Sequence, residues 1–568
     1  MSREGTLMSM IETDVAISGA GPCGLMLANE LGRRGVSVQI VDAEPGVGIA
    51  PQANATQART MEHYRRLGLS NDLRKMGLPS DYPTDVAYFT TFTGHELARH
   101  KQPTSGDAAK RVRELADVWN GPELPHRIPQ SMIEQKLCDE AQKLAGVEIA
   151  FFHRATRFEE DADGVTLHSE HVKTGAPLII RAKYLFGADG SLSKIREQMG
   201  IVYTGAGGVA RDFMGGRMLS VYLNAPSFYE AVSAPRAWMY WTFNRRRRAL
   251  LAATNGKGRF VLQTQLREGE DHQTLTEDDC KGLFWQAVGQ EIPVDITGTA
   301  TWIAGRGLVA ESFQRGRVIL GGDAVHIFTP TGGMGYNTAV DDAVNLGWKL
   351  AAVIKGEAGP TLLDSYEAER RPVAQRNTLF ALAFADSVGL YRASPAIENE
   401  DEAGEIARAR AGAYLAQHGA KEFFIPGFSL GARYDNSPVI AQDDSLPPPD
   451  QASVYVPSAK PGGRAPHVWL DQETSLFDRF GFDWTLLNLG GADSTAEAIE
   501  AEAKTRGLDL KRLDLPDHAI LADLYEAPLA LIRPDQFVAW RGDKVDAAEL
   551  FDRITGKTAS QPILADTH

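Results

Sequence analysis

The sequence contains few cysteines, and none of them has the spacing of a redox or metal site. Only Cys23, Cys138 and Cys280 occur among 568 residues. Because no CxxC pair is present, dithiol chemistry and cysteine-based metal binding are excluded, and no metal site is predicted. Disulfides are rare in reducing compartments, so we expect a reduced, cytoplasmic chain. Cys23 is interpreted as a small packing residue.

A long apolar run and an excess of positive charge are also absent. No segment approaches the ~20 apolar residues that a membrane span needs, and residues 1–13 lack the apolar core of a signal peptide. The 59 Lys and Arg residues are outnumbered by 74 Asp and Glu residues, which gives a formal net charge of −15. Such a chain is not attracted to anionic surfaces. We therefore expect neither nucleic acid nor a membrane as a partner.

Glycines are concentrated in a motif near the start of the chain. Residues 14–42 follow the order strand, glycine turn, helix, strand and acid. Gly19 permits a tight turn, Gly21 lets the backbone approach a pyrophosphate, and Gly24 permits close packing of helix and strand. Asp42, about 20 residues beyond the glycines, suits a ribose hydroxyl. This order predicts a dinucleotide-binding unit.

Two later segments repeat the combination of an apolar strand, glycine and an acid. Asp189 and Gly190 follow one strand, and Gly322 and Asp323 follow another. Further glycines at 332, 333 and 335 precede a predicted helix and leave backbone N–H groups open to an anion. A dinucleotide needs several backbone turns around it, so we interpret all three segments as parts of one cofactor site.

Residues 201–304 differ in character from the rest of the chain. Strand-like runs alternate with turns, which predicts an antiparallel sheet with one face available for a ligand. Trp238, Tyr240 and Trp241 are candidate pocket residues, with packing in the core as the alternative. The four arginines at residues 245–248 either attract an anionic nicotinamide cofactor or form a solvated turn.

The motifs together resemble those of the class A flavoprotein aromatic hydroxylases, the single-component FAD monooxygenases. The matching segments are GAGPCG, DGSLSKIR, RVILGGDAVHIFTPTGGMGYNTAVDDAVNLGWKLA, LLDSYEAERRP, PGGRAPH and RPDQFVAWR. The tail resembles the thioredoxin-like domain of the phenol and polyketide hydroxylase branch. Because that domain lacks CxxC here, a packing or dimer role is favoured, and the resemblance implies a homodimer.

The resemblance implies an α/β fold, in which a Rossmann-like FAD-binding domain is interwoven with a β-sheet substrate domain and followed by a thioredoxin-like α/β domain. The FAD-binding domain is expected in three parts, at residues 10–84, 105–200 and 305–393. The substrate domain is expected to combine residues 85–104 with the sheet at 201–304. A connector at 394–465 and a thioredoxin-like domain at 466–568 complete the prediction.

The resemblance also implies which residues bind FAD. Arg59 has two alternative interpretations, a contact to a phosphate or a salt bridge. Gln52 stands where relatives commonly have Arg. There is no second dinucleotide unit, so NAD(P)H, with NADPH expected, is predicted to dock transiently as reductant. The predicted cofactor-binding residues are Gly19, Gly21, Pro22, Gly24, Asp42, Ala43, Gln52, Arg59, Gln130, Asp189, Gly190, Gly322, Asp323, Pro330, Gly332, Gly333, Gly335 and Asn337.

The chemistry implied by the resemblance is hydroxylation of a phenolic ring by dioxygen through a flavin hydroperoxide. Asn54 stands where several phenol-hydroxylating relatives have His or Asp. An asparagine can orient a hydroxyl but cannot take its proton; a plain loop role is the alternative. The candidate catalytic residues are Asn54, Pro330 and Tyr240, and the candidate substrate contacts are Asn54, Trp238, Tyr240 and Trp241.

The favoured activity is ortho-hydroxylation of an alkyl- or chlorophenol to a catechol. The alternative is a hydroxylase that tailors an aromatic polyketide or a similar natural product. A flavin-dependent halogenase is a minor alternative, because residues 238–241 do not match the Trp-x-Trp-x-Ile-Pro motif of those enzymes. The intact cofactor motifs disfavour a binding or regulatory flavoprotein that has no catalytic turnover.

Overall fold

The computed structural model describes residues 10–48, 53–207, 211, 213–516 and 518–557. The strands are β1 Met10–Ser18, β2 Val38–Val41, β3 Ala55–Thr56, β4 Val86–Phe89, β5 Glu96–His100, β6 His126–Arg127, β7 Val147–Ala150, β8 His153–Glu160, β9 Val165–His171, β10 Pro177–Gly187, β11 Tyr203–Ala206, β12 Arg217–Asn224, β13 Met239–Thr242, β14 Ala249–Ala253, β15 Arg259–Gln265, β16 Asp295–Ile303, β17 Gly307–Ala310, β18 Gln314–Arg315, β19 Val318–Leu320, β20 His326–Ile327, β21 Trp484–Asn488, β22 Leu510–Asp514, β23 Leu529–Ile532 and β24 Val538–Gly542.

The α-helices are distributed among these strands and differ widely in length. They are α1 Pro22–Gly32, α2 Ala58–Arg66, α3 Ser70–Arg74, α4 Ser105–Arg111, α5 Ala116–Trp119, α6 Gln130–Ala141, α7 Lys194–Gln198, α8 Phe228–Ala231, α9 Glu277–Val288, α10 Met334–Ile354, α11 Asp364–Gly389, α12 Glu402–Phe423, α13 Pro426–Leu430, α14 Leu476–Arg479, α15 Asp493–Thr505, α16 Ala519–Tyr525 and α17 Ala547–Ile554. Short 3-10 turns occur at Gly322–Ala324, Thr331–Gly333, Pro360–Leu362 and Pro395–Glu398.

The first sheet has the strand order β18-β19-β10-β1-β2-β7, with β9 and β8 added beside β10. Strands β19, β10, β1, β2 and β7 run parallel, and their interiors are apolar because helices cover them. Ser18 pairs with both Val41 and Gly187, and Gly187 pairs with Leu320. Four strands therefore end side by side at one edge, and the predicted glycines and acids follow these ends.

The second sheet has seven strands in the order β16-β12-β15-β14-β13-β4-β5. It joins chain segments 86–100 and 217–303, which are far apart in sequence. Most neighbours are antiparallel as expected, but β13 and β4 are parallel. Within residues 217–303 all neighbouring strands of this sheet are antiparallel, so the prediction for residues 201–304 is confirmed. The parallel pair includes β4 from the earlier segment, which a long crossover rather than a hairpin links to β13.

A third sheet lies near the C-terminus, in the order β22-β21-β23-β24, with α15, α16 and α17 beside it. Its core extends to helix α10, since Trp484 of β21 packs edge-on against Trp348 of α10 at 5.5 Å between ring centroids. The predicted α/β fold, with an interwoven second sheet and a C-terminal α/β domain, is confirmed.

Helix α11 continues through Pro372. Proline removes one backbone hydrogen bond and usually disturbs a helix. Here Glu369 and Arg370, one turn before the proline, are buried and held by ion pairs to neighbouring elements. Tertiary contacts therefore keep the helix continuous where local preference alone predicts an interruption.

Candidate functional site

A cavity of about 560 Å³ lies at the edge where β1, β2, β10 and β19 end. Such an edge of an open α/β sheet is where ligands bind in this class of fold. The cavity brings together most of the predicted cofactor residues, which come from four separate parts of the chain. The predicted residues that line it are Gly19, Gly21, Pro22, Asp42, Ala43, Gln130, Asp189, Gly190, Gly322 and Asp323.

The three glycines of the motif have different physical roles. Gly19 has φ +110°, and a Cβ there would lie 2.2 Å from the Ala188 carbonyl oxygen. A Cβ on Gly24 would lie 2.0 Å from the Gly19 carbonyl oxygen. A Cβ on Gly21 would meet no described protein atom within 4 Å, although Gly21 lines the cavity. Gly19 and Gly24 are therefore required by the protein itself, whereas the space at Gly21 suits a bound ligand.

Helix α1 begins at this cavity with Pro22 at its first turn. No side chain caps its N-terminus, and the first turn carries no acid. The open N–H groups and the positive end of the helix dipole favour an anion. This end of the cavity fits the pyrophosphate of a dinucleotide.

Carboxylates line other parts of the same cavity. Asp42 Oδ2 accepts from the Ala20 N–H at 2.6 Å, which fixes the acid beside the glycine turn. Asp189 Oδ2 accepts from the Lys194 N–H at 2.8 Å, while its buried Oδ1 has no partner among the described residues. Burial raises the pKa of Asp189 and of Asp323. These acceptors fit the hydroxyl groups of ribose and ribityl chains, so the residues present suit FAD.

Helix α6 contributes a linked pair to the cavity wall. Gln130 Nε2 donates to Glu134 Oε1 at 2.8 Å, and the Gly48 N–H donates to Glu134 Oε2 at 3.2 Å. Burial raises the pKa of Glu134. Glu134 was not predicted from the sequence; its position one helical turn after Gln130 is the signal that points to it.

A second cavity, of about 110 Å³, lies between the second sheet and residues 330–333. It contains the predicted residues Asn54, Trp238, Trp241, Pro330, Gly332 and Gly333. The sequence-predicted substrate contacts and the glycine turn before α10 therefore meet at one place, with the exception of Tyr240. We call this second space the substrate cavity.

The assignment of Tyr240 to this site is corrected by the strand geometry. Side chains alternate between faces along β13, so Met239 and Trp241 line the substrate cavity and Tyr240 points to the other face. There Tyr240 stacks on Phe89, and its hydroxyl accepts from the Ala237 N–H at 2.8 Å. Tyr240 is a core residue.

The cofactor assignment of Arg59 is corrected too. Its Nη1 donates to Glu62 Oε2 at 2.7 Å and to Gln536 Oε1 at 2.9 Å. Arg59 lines neither cavity. Of the two alternatives, the structure has the salt bridge, because Glu62 lies one turn along the same helix. Gln52 lies outside the described residues.

Asn337 and Gly335, which were also predicted to bind the cofactor, line neither cavity and lie behind the walls. Asn337 Oδ1 accepts from the Gln57 N–H at 2.8 Å, and its Nδ2 donates to the Ala55 carbonyl at 2.9 Å. Asn337 thus ties the segment after Asn54 to α10. Gly335 lies in the first turn of α10, and a Cβ there would come within 3.9 Å of Asp323 Oδ1.

Arg127 lines the substrate cavity and was missed by sequence reasoning. Its guanidinium lies 4.1 Å from the centre of the Trp238 ring, and its Nη2 donates to Gln102 Oε1 at 2.6 Å. No carboxylate of the described residues pairs with it, and burial lowers its pKa to about 9. A buried arginine with only a neutral partner suits an anionic or ionisable ligand.

The arginines at residues 245–248 are held by other parts of the chain. Arg245 Nη2 donates to Asn399 Oδ1 at 2.9 Å, Arg247 Nη1 to the Gln265 carbonyl at 3.1 Å, and Arg248 Nη1 to the Val388 carbonyl at 2.8 Å. The segment is therefore a turn that keeps Arg245 and Arg246 exposed, as the solvated-turn alternative expects, and that is also fastened to Gln265 and to residues 388–399.

Comparison with known proteins agrees with this geometry. The model of the FAD binding domain family matches residues 12–381, and that of the aromatic-ring hydroxylase C-terminal family matches residues 458–559. The chain belongs to the class A flavoprotein hydroxylases. This hydroxylase is thus an FAD-dependent monooxygenase that acts on aromatic compounds, as its motifs predicted.

Relatives of the hydroxylase match it over nearly its whole length. Aklavinone 12-hydroxylase RdmE of Streptomyces purpurascens is 30% identical over 96% of this chain and 98% of its own. Phenol 2-monooxygenase of Pseudomonas sp. (strain EST1001) is 28% identical over 96% of this chain and 93% of its own. The solved structure of chromopyrrolic acid-soaked RebC with bound 7-carboxy-K252c is 31% identical, with a TM-score of 0.86, and covers 97% of this chain and 100% of that one.

The described part of the hydroxylase lacks two further features. None of its helices combines the length and the apolar character needed to cross a membrane. Within the same residues, no group of three or more His, Cys, Asp or Glu side chains is arranged to hold a metal ion.

Proposed function

We propose that the hydroxylase adds one oxygen atom ortho to the hydroxyl of a substituted phenol, giving a catechol, with NADPH as the preferred reductant. The observation that carries this proposal is the substrate cavity, where an amide, a cation and two tryptophans meet the glycine turn before α10. Asn54, Arg127, Trp238 and Trp241 supply these groups.

FAD is proposed to occupy the larger cavity. Gly21 and the start of α1 would hold its pyrophosphate, while Asp42 would hold a ribose hydroxyl and Asp323 the ribityl chain. When bound, FAD supplies oxidation–reduction and the activation of dioxygen. Residues 330–333 line the substrate cavity and would face the flavin ring, so the two cavities are proposed to share that ring.

The protein groups in the substrate cavity would bind and orient a ring that carries a hydroxyl. Asn54 can donate to or accept from that hydroxyl. The positive charge of Arg127 favours an ionised hydroxyl, because it lies in a buried place where charges are weakly screened. Trp238 and Trp241 are buried and would exclude water from the reacting ring.

Cavity size favours a single-ring phenol over a polyketide. Sites for drug-sized ligands occupy about 300–1,000 Å³, and the substrate cavity has about 110 Å³. The polyketide alternative is supported by similarity to aklavinone 12-hydroxylase. It requires the walls at Trp241 and Phe423 to move apart when substrate binds.

A homodimer and a cytoplasmic location are proposed as well. The first rests on the resemblance alone and is tested by sedimentation of the FAD-loaded protein. The second is supported by the three cysteines, which are buried and unpaired, as in a reducing compartment.

Oxidation of NADH and NADPH by the FAD-loaded protein across a panel of phenols tests the function. Flavin reduction is measured without oxygen, and hydrogen peroxide and catechol are measured with it. We expect one phenol class to accelerate NADPH oxidation and to yield catechol with little peroxide. Slow oxidation with every phenol, or release of all reducing equivalents as peroxide, contradicts the phenol assignment and favours a larger polycyclic substrate.

A further inference from the structure

The last turn of α12 places a buried acid in the wall of the substrate cavity. Glu422 lines this cavity and is 3% exposed. Its Oε1 accepts from the Gly332 N–H at 3.1 Å, so the carboxylate is fixed against the glycine turn. Glu422 lies outside the two segments matched by the family models, at residues 12–381 and 458–559.

A histidine lies directly behind this acid. His418, one turn earlier on α12, is 1% exposed, and its Nε2 lies 2.9 Å from Glu422 Oε2. Apart from this contact with each other, neither atom makes a hydrogen bond with a described residue. The carboxylate and the imidazole therefore face each other, and no third group of the described residues bonds to either atom.

The histidine also connects the acid to the protein surface. His418 Nδ1 lies 3.0 Å from Ser387 Oγ, and Ser387 is half-buried near the end of α11. Carboxylate, imidazole and hydroxyl thus form a continuous row from the cavity wall toward solvent. Such a row can carry a proton, because each member both binds and releases one.

The other ionisable groups near the acid do not neutralise it. Tyr88 of β4 packs edge-on against His418, and burial, with a further contribution from Glu422, raises the pKa of Tyr88 well above its ordinary value. Arg127 of β6 lines the same cavity. At neutral pH Tyr88 stays protonated, so the proton acceptors of this cluster are Glu422 and His418.

We propose that Glu422 is the base that accepts the proton of the substrate's aromatic hydroxyl, and that His418 passes this proton toward Ser387. The proposal deepens the proposed function and rests on it. The resemblance assigns this proton transfer to the position of Asn54, but the amide of Asn54 cannot take a proton. Glu422 supplies the missing acceptor from a different helix.

The step is a proton transfer without any redox change. The O–H bond of the substrate breaks, its electron pair stays on the phenolic oxygen, and a new O–H bond forms at Glu422. The carboxylic acid then returns the proton through His418 Nε2, and His418 Nδ1 releases one to Ser387 and solvent. The phenolate that remains is stabilised by Arg127 and carries more electron density into the ring.

Glu422→Gln tests the proposal, because its amide oxygen can still accept from the Gly332 N–H. Glu405→Gln, an exposed position on the same helix, is the matched control. The first readout is binding of 4-nitrophenol to the oxidised FAD-loaded proteins above and below the pKa of the probe. The Glu422 carboxylate repels a phenolate and opposes the attraction of Arg127, so the ratio of phenolate affinity to neutral-phenol affinity in wild type gives the reference ionisation preference. Glu422→Gln should shift this preference toward the phenolate by about tenfold, while Glu405→Gln should not.

The second readout is turnover of the phenol found active in the panel. Loss of a general base typically costs about 10²–10⁴-fold, so kcat of Glu422→Gln should fall by about 100-fold at neutral pH and recover as pH rises toward the pKa of the phenol. His418→Gln should lower kcat without changing the ionisation preference. An unchanged kcat in this variant contradicts the relay.

Failure of this proposal is distinguishable from failure of the proposed function. If wild type hydroxylates phenols but Glu422→Gln has the wild-type ionisation preference and pH profile, the base is elsewhere and the function stands. If 4-nitrophenol binds to neither protein, the assignment of Glu422 is overturned. If the preference shifts but no phenol is hydroxylated, Glu422 does face a bound hydroxyl and the proposed reaction is wrong.

Discussion

Arg533 and Glu369 form a two-pronged ion pair between the C-terminal domain and α11. Arg533 Nη1 donates to Glu369 Oε1 at 2.7 Å, and Nη2 donates to Oε2 at 2.8 Å. Both side chains are fully buried, and Lys349 Nζ lies 2.7 Å from the same Glu369 Oε2. Burial alone would raise the pKa of Glu369, but Arg533 and Lys349 hold it well below its ordinary value.

Removal of one partner of this pair should destabilise the whole chain. Glu369→Gln leaves buried Lys349 without its paired carboxylate and leaves Arg533 with Asp535 alone. Breaking a buried ion pair typically costs about 3–5 kcal/mol. Unfolding in urea, followed by tryptophan fluorescence, measures the free energy of unfolding. Exposed Glu405→Gln is the control. A loss below about 1 kcal/mol would mean that the pair contributes little to the domain contact.

Substitution of Gly21 should affect cofactor affinity and leave the fold intact. A Cβ at this position meets no described protein atom, but it enters the space proposed for the pyrophosphate. Gly21→Ala should therefore unfold like wild type in its FAD-free form and bind FAD at least tenfold more weakly. Titration of flavin fluorescence gives the dissociation constant.

Gly282→Ala is the matched control for this substitution, because a Cβ on Gly282 of α9 would also have open space and Gly282 lies far from the cofactor motifs in sequence. It should leave FAD affinity unchanged. Equal affinities of Gly21→Ala and wild type would show that the pyrophosphate does not lie against Gly21.

Substitutions at Tyr240 and Trp241, which are adjacent in β13, should have different effects. Tyr240→Phe removes the acceptor of the buried Ala237 N–H, so it should cost about 1–3 kcal/mol of stability and leave KM for the phenol unchanged. Trp241→Ala enlarges the substrate cavity and should raise KM for a simple phenol about tenfold or more. Thermal unfolding and steady-state kinetics separate the two effects. A changed KM in Tyr240→Phe would return Tyr240 to the site.

Stability should fall in mild acid because of His126. Burial lowers the pKa of His126 to about 3, while the unfolded chain has the ordinary value of 6.5. Below pH 6.5 the unfolded state binds a proton that the folded state does not, so the free energy of unfolding falls by about 1.4 kcal/mol per pH unit down to about pH 3. Above pH 6.5 this contribution is constant.

His126→Gln isolates this contribution, since its amide can still donate to the Leu73 carbonyl that lies 2.9 Å from His126 Nε2. Other buried histidines remain in both proteins and cancel in the comparison. Urea unfolding at several pH values between 4.5 and 7.5 should show a smaller acid slope for His126→Gln. Equal slopes would mean that His126 is protonated in the folded protein as readily as in the unfolded one.

The sequence allowed much of the cofactor site to be predicted, because that information is local. Each strand end carries its own glycine or acid, and parallel pairing brings Gly19, Asp42 and Asp189 to the same edge. The turn, the helix start and the acid are set within a few residues of each other, so their spacing is sufficient for a prediction.

The substrate side could not be predicted in the same way. A one-residue change in strand register exchanges the two faces of a sheet, so nothing in the sequence near Tyr240 and Trp241 indicates which one faces the ligand. Glu422 and Arg127 reach the cavity from α12 and β6, which no local spacing connects. Such contacts follow only from the tertiary packing.

The alignment of strand ends has a consequence for biosynthesis. The floor of the cofactor cavity combines β1 and β2, near the start of the chain, with β19 and Asp323, which leave the ribosome much later. Between them the whole second sheet must be synthesised. A nascent chain therefore contains the glycine motif long before it has a complete place for FAD, and until β19 is synthesised β10 lacks its second parallel neighbour.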